Sequence, residues 1–279
     1  MKFGHAIWYG DRPFEKAIKN IHRIGYDYIE LSLDYPTMET LEKNKEMVKR
    51  IKALLKDLDM EIGFHAPFAG VELLHPRKII SDAGFKIMER AMKFATQFSP
   101  AYFDIHLRGN PPTIKLRDVR EEIYDKSILV GQRLSKLNKK LKLNITIENK
   151  PNLPFCFLDD FKFFFAGVKD LDMCLDVGHV ICANNDGRGK NEGNADISEW
   201  IDAFKNKIKV LHLHNCRKTE GSVWDHYILE DGIIDIEKVC KQIKDTKCKY
   251  IQLEIFSNEN GLANDKDFKR NLELVKTFL

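Results

Sequence analysis

The chain has no CxxC pair, no glycine-rich phosphate loop, no long apolar run and no large excess of charge of either sign. Each absence excludes a class of protein. The six cysteines, Cys156, Cys174, Cys182, Cys216, Cys240 and Cys248, stand apart, which argues against thiolate-bound structural zinc and predicts a reduced, cytoplasmic protein. The opening Met1-Lys2-Phe3-Gly4-His5 lacks the apolar core of a secretion signal, and no stretch nears the roughly 18 apolar residues of a membrane span. No membrane partner is expected. With 45 basic and 42 acidic residues, the formal net charge of +3 is too small to announce a nucleic-acid binder. No GxGxxG or P-loop sequence follows any strand candidate, which disfavours an open nucleotide-binding sheet.

What is present is a regular alternation. Short apolar, β-branched or aromatic runs at 3–8, 28–33, 61–66, 101–107, 143–148, 172–177, 208–215 and 249–256 read as strands. Amphipathic stretches at 40–58, 82–98, 118–141, 158–168, 197–205, 235–244 and 265–278 read as helices. Repeated strand-helix units imply parallel strands, and eight right-handed units close most simply into a barrel. At 279 residues the chain fits one α/β domain, a TIM (β/α)8 barrel spanning 1–279. The irregular stretches 66–80, 108–117, 183–196 and 217–232 each follow a strand, on the side where such barrels carry their chemistry.

Read only at their ends, the strands give His65, His106, Glu148, Asp176 with His179 three residues on, His212 and Glu254; Asp225 and His226 follow the seventh strand. Isolated charges there are costly to bury, and a divalent cation removes that cost. Mixed imidazole and carboxylate donors suit manganese or zinc, with cobalt or magnesium as alternatives. His214 shares the strand parity of His212 and is an equal candidate on spacing alone. Glu30 reads as a buried, paired residue. His5, His22 and His75 read as hydrogen-bonded structural histidines.

Taken in order, Tyr28-Ile29-Glu30-Leu31, Phe64-His65-Ala66-Pro67, Asp104-Ile105-His106, Ile147-Glu148-Asn149, Cys174-Leu175-Asp176-Val177-Gly178-His179, Leu211-His212-Leu213-His214-Asn215 and Leu253-Glu254 resemble the xylose isomerase-like barrel superfamily. That superfamily includes sugar isomerases and epimerases and the family 2 apurinic/apyrimidinic endonucleases. The resemblance implies a metal core of Glu148, Asp176, His212 and Glu254. It favours His212 over His214. For the nuclease branch it implies further zinc ligands at His65, His106, His179, Asp225 and His226.

The leading expectation is a divalent-metal-dependent isomerase or epimerase of a small sugar-like hydroxycarbonyl compound. Proton transfer would pass through a metal-stabilised enediolate, with Glu148 and Glu254 as bases and His179 and Arg217 holding substrate oxygens. The alternative is a zinc-dependent endonuclease whose partner is abasic DNA, with Arg108, Lys115, Arg117, Arg120, Arg188 and Lys190 as phosphate contacts. The nuclease motifs are imperfect: Asp225 and His226 are adjacent where nucleases keep one residue between them, and Val177-Gly178 stands where they usually carry Thr-Cys. A barrel that binds a ligand without turnover is the third reading, disfavoured by the paired glutamates.

Overall fold

The computed structural model describes residues 1–109, 113, 116–152, 154–185 and 196–279. Eight parallel strands close into a barrel: β1 (Lys2–Ile7), β2 (Tyr28–Ser32), β3 (Glu61–His65), β4 (Phe103–His106), β5 (Ile145–Glu148), β6 (Asp172–Asp176), β7 (Ile208–Leu213) and β10 (Tyr250–Leu253). Each pairs with its neighbours in chain order, and β10 returns to β1. The expected architecture and all eight barrel strands are present.

Two further strands, β8 (Asn215–Thr219) and β9 (Ser222–Tyr227), form an antiparallel hairpin directly after β7. The short strands β11 (Ser257–Asn258) and β12 (Gly261–Leu262) join it in a second sheet beside the barrel mouth. This corrects the reading of 217–232 as irregular, and of 208–215 as one strand.

The barrel is sheathed by α1 (Phe14–Ile24), α2 (Thr37–Lys43), α3 (Lys45–Asp57), α4 (Lys78–Ala95), α5 (Arg117–Leu141), α6 (Leu158–Gly167), α7 (Val177–Asn185), α8 (Ile197–Phe204), α9 (Ile236–Ile243) and α10 (Asp265–Phe278). The expected helix 40–58 is two, because Asn44 ends one and caps the next, its Oδ1 accepting the Met47 N–H at 3.0 Å. Neither α1 nor α7 was expected. None of the described helices is long and apolar enough to cross a membrane.

Packing fixes the barrel rigidly. Ile29, Phe64, Phe103, Ile147, Leu175 and Leu211 lie fully buried on the strands, against helix residues such as Ile18, Ile51, Met88, Phe161 and Trp200. The phenylalanines of 155–165 are part of this layer; Phe163 alone among them is exposed. A side chain buried this way contributes about 1.5–3 kcal/mol, so the strand ends are held by a deep apolar wall on the helix side. The inner side of the barrel is polar at its carboxyl end.

Candidate metal centre

Strand periodicity aims alternate side chains inward, and register aligns the ends: His106 pairs with Glu148 across β4 and β5, and Asp176 with His212 across β6 and β7. Glu254 follows β10, its N–H donating to the Leu213 carbonyl. The four residues Glu148, Asp176, His212 and Glu254 are all buried, the most accessible at 4%. They converge. His212 Nδ1 lies 3.4 Å from Glu148 Oε2, 3.6 Å from Glu254 Oε2 and 4.0 Å from Asp176 Oδ2.

Neither His212 Nδ1 nor Glu148 Oε2 has a hydrogen-bond partner, though both are buried. An unpartnered ring nitrogen and an unpartnered carboxylate oxygen facing one another at this spacing fit ligand atoms arranged around a cation, since buried polar atoms are otherwise paired. The other ring nitrogen of His212 is engaged: Nε2 stands 3.2 Å from Glu30 Oε2, which also accepts the Tyr102 hydroxyl at 2.8 Å. Glu30 is therefore buried and paired, as expected, and it orients the ring so that Nδ1 faces the carboxylates. His214 differs, because both of its ring nitrogens already have hydrogen-bond partners, Nε2 the Asp176 carboxylate and Nδ1 the His226 N–H.

Two more groups flank these four. His65 Nε2 lies 3.5 Å from Glu148 Oε2, while its Nδ1–H faces the Ala66 carbonyl at 2.9 Å. His106 Nε2 approaches Glu148 Oε1 to 3.0 Å but at an angle that makes no hydrogen bond, leaving it unpartnered. On the other side, His179 Nδ1 lies 3.1 Å from Glu148 Oε1, and its Nε2 lies 4.0 Å from Asp225 Oδ2. His226 Nδ1 is 3.7 Å from Glu254 Oε2. Every expected ligand thus borders the centre. Arg217 does not reach the buried cluster: it is exposed on β8, 5.6 Å over the Tyr227 ring.

Electrostatics separate the two glutamates. Burial, reinforced by Glu30, Glu148 and Asp176 and opposed by His212, pushes Glu254 up to about 7. Burial opposes the Glu148 charge too, but His106 and His212 outweigh it and hold that carboxyl well below the usual range. Two carboxyls driven apart in this way are suited to opposite roles in proton transfer.

Several residues at the site were missed from the sequence. Asp104, buried on β4, accepts the Thr146 hydroxyl at 2.5 Å, and burial beside Glu148 raises its pKa well above the ordinary value. Asn149 clamps β5 to β6, exchanging hydrogen bonds of 2.8 Å with the backbone of Asp176. Lys150 is buried, and burial pushes its ammonium down to about 7. Trp8, Phe68 and Phe256 wall the mouth, Trp8 lying 6.2 Å from the His65 ring and Phe256 4.6 Å from that of His226. Their signal, aromatics after strands, is shared with ordinary core.

Of the three histidines expected to be structural, half-buried His75 is hydrogen-bonded as expected, accepting the Arg77 N–H in a turn. The other two depart from expectation: His5 is buried against Phe268 at 4.2 Å but its Nδ1 has no hydrogen bond, and His22 is exposed on α1. Of the expected phosphate contacts, Arg117 pairs with Glu121 and Arg108 with Glu72, while Lys115, Arg188 and Lys190 lie outside the described residues.

The class is thus a (β/α)8 barrel with a buried cluster of imidazoles and carboxylates at the carboxyl ends of its strands. The chain belongs to the xylose isomerase-like TIM barrel family, whose model matches residues 18–278. Similar solved structures include a D-tagatose 3-epimerase-like protein, at 18% identity and TM-score 0.77, covering 100% of this chain and 97% of that one. D-psicose 3-epimerase from Clostridium cellulolyticum H10, solved with D-tagatose, gives 13% and 0.74, covering 100% and 98%. The TTHB071 protein from Thermus thermophilus, soaked with ZnCl2, gives 15% and 0.70, covering 100% and 98%. No curated relative matches by sequence.

Proposed function

We propose that the chain is a divalent-metal-dependent isomerase or epimerase of a small sugar-like hydroxycarbonyl compound, with Glu148, Asp176, His212 and Glu254 holding the ion. The observation that carries this reading is the pair of buried, unpartnered atoms His212 Nδ1 and Glu148 Oε2, set among the oxygens of Asp176 and Glu254. Among the described residues, the ion pairs of Glu30, Glu148, Asp176 and Glu254 all go to histidines, and no lysine or arginine neutralises them. Manganese or zinc suits this donor set. The sugar-epimerase names of similar structures favour this chemistry over others on the same fold.

A bound divalent ion polarises a substrate carbonyl and acidifies the adjacent C–H. Glu148, held as a carboxylate by His106 and His212, accepts the carbon-bound proton. Glu254 returns a proton from its own side, and the roles exchange in the reverse reaction. His179, fixed by its 2.9 Å contact with the Asn149 carbonyl, holds a substrate oxygen. Trp8, Phe68 and Phe256 exclude water from the reacting face.

Glu254→Gln tests the assignment. The variant is expected to keep its thermal midpoint and to lose exchange of carbon-bound hydrogen between a ketohexose and deuterated solvent. Exchange at the native rate excludes Glu254.

A second reading, hydrolysis of abasic DNA with zinc, is favoured by one observation: Glu148 is shared with His65 and His106, and His106 Nε2 is a further orphan. About three zinc ions per chain after chelator-free purification, with incision of an abasic duplex at low salt, supports it over the epimerase. One exchangeable ion and no incision dismisses it.

A further inference from the structure

His214 is fully buried, one strand step beyond His212, and its two ring nitrogens face different elements. The backbone N–H of His226, on β9, donates to Nδ1 at 2.9 Å. Nε2 lies 3.1 and 3.0 Å from the two carboxylate oxygens of Asp176. Nδ1 also stands 3.3 Å from the Asn215 carbonyl, but the His226 N–H is nearer and cannot accept; with the shorter contact as the bond, Nδ1 presents its lone pair and the ring proton sits on Nε2, donated to Asp176. A continuous chain of bonds therefore runs from the hairpin backbone, through one imidazole, to a carboxylate of the centre.

Two further features are built around this ring. A Cβ on Gly178 would stand 1.9 Å from His214 Cε1, so the imidazole fills the space any other residue at 178 would need. His226 adopts φ +54, a left-handed conformation unusual for a residue with a side chain, and it is in this conformation that its N–H meets Nδ1. Asp176 is steadied from its other side by the His179 N–H, which donates to Oδ1 at 2.6 Å.

We infer that His214 is a positioning residue that couples the β8–β9 hairpin to the metal centre: it aims Asp176 at the ion and is itself aimed by the hairpin. The inference rests on Asp176 being a ligand, as in the proposed function. Because coupling is reciprocal, occupation of the centre orders the hairpin as much as the hairpin preorganises the centre. An aspartate held this way costs the ion less ordering on binding.

The test separates the two bonds with side chains that mimic one nitrogen each, using Mn2+ as probe and amide deuterium exchange as second readout. His214→Asn places a carbonyl near Nδ1 and still accepts from His226, but falls short of Asp176. His214→Gln places its amide near Nε2 and still donates to Asp176, but leaves the His226 N–H unpaired. His214→Asn is expected to weaken Mn2+ binding by about 10–100-fold. His214→Gln is expected to lose less affinity, and to exchange the His226 amide rapidly even with Mn2+ bound. In the unmodified protein, which needs no variant to fold, stripping the metal should speed exchange of that amide. Wild-type affinity in His214→Asn, equal losses in both variants, or exchange at His226 indifferent to Mn2+ overturns the coupling alone. Failure of the unmodified protein to bind Mn2+ overturns the metal reading with it.

Discussion

Glu30→Gln removes one charge from the barrel interior and almost no shape, and two consequences of opposite sign follow. In the protein, one oxygen of Glu30 receives both His212 Nε2–H, at 3.2 Å, and the Tyr102 hydroxyl, at 2.8 Å. A glutamine carbonyl in the same place accepts both, so the geometry survives and the acceptor becomes neutral. Hydrogen bonds to charged groups contribute about 1.5–3 kcal/mol and neutral ones about 0.5–1.5. His212 is therefore held less firmly by about 1 kcal/mol, and the intrinsic metal affinity falls by about five- to tenfold.

The opposing effect is proton competition. Burial works against charge on His212, but Cys174, Glu254, Glu148 and Glu30 outweigh it and lift its pKa well above the ordinary value. A proton on Nδ1 must leave before an ion binds, so affinity rises with pH. Without Glu30 that proton leaves more readily. At low pH the relief offsets the weakened orientation; at high pH the relief vanishes and the loss remains. The wild-type to Glu30→Gln ratio of Mn2+ affinities, measured against a competing chelator from about pH 6 to 9, should widen as pH rises. A ratio that is flat or falls refutes the reasoning.

Two further outcomes are expected. Burial lowers His5 to about 4, with Asp265 of α10 acting against it; Asp11, Arg12, Lys16, Lys19 and Arg23 line the same cleft. Its folded pKa is depressed, so the stability it permits is complete above about pH 6.5 and is lost as pH falls towards 4, by about 3 kcal/mol. Urea unfolding of chelated wild type and His5→Gln should show the wild type losing that much more on acidification, and parallel curves would falsify the assignment. Trp8 lies 5.8 Å from Phe256 and 6.2 Å from His65. Trp8→Ala should raise KM for a ketohexose by about three- to tenfold with Mn2+ affinity unchanged, and an unaltered KM removes Trp8 from the substrate wall.

The barrel was legible because its strands are brief buried runs, and the convergence of Glu148, Asp176, His212 and Glu254 because each stands at a strand end, where the fold gathers them. What spacing could not decide was His212 against His214: a period of two aims both inward, and only their partners distinguish them. Those partners are remote. Glu30 meets His212 across 182 positions, and no local pattern announces such a pair. Helix α1 carries Phe14, Ile18 and Ile21 at helical spacing but begins after Pro13 without a capping side chain, so it lacks a start signal. The β8–β9 hairpin escaped because Arg217, Lys218 and Thr219 are exposed and polar, with no buried face to set a period. Its turn residue Gly221, at φ +81, was the one available sign.

A stricter test of the centre is how many protons an ion displaces. Without metal, imidazolium groups balance the carboxylates. Burial disfavours charge on His65 and His179, yet Glu148 lifts the first, and Asp176 with Glu148 the second, each to about 10. His212 is lifted as well. An ion on Glu148, Asp176, His212 and Glu254 must expel the His212 proton, and its charge then weakens the hold of Glu148 and Asp176 on the protons of His65 and His179. Near pH 8 the first equivalent of Mn2+ should therefore release at least one proton per chain. Calorimetry in two buffers of different ionisation heat measures that number directly. If further ions seat on the His65–His106 and His179–His226 sides, later equivalents release more, and the steps follow the metal stoichiometry that separates an epimerase from a nuclease. Binding with no proton released means that His212 carries none to lose, and the charge balance argued for the buried cluster fails at its centre.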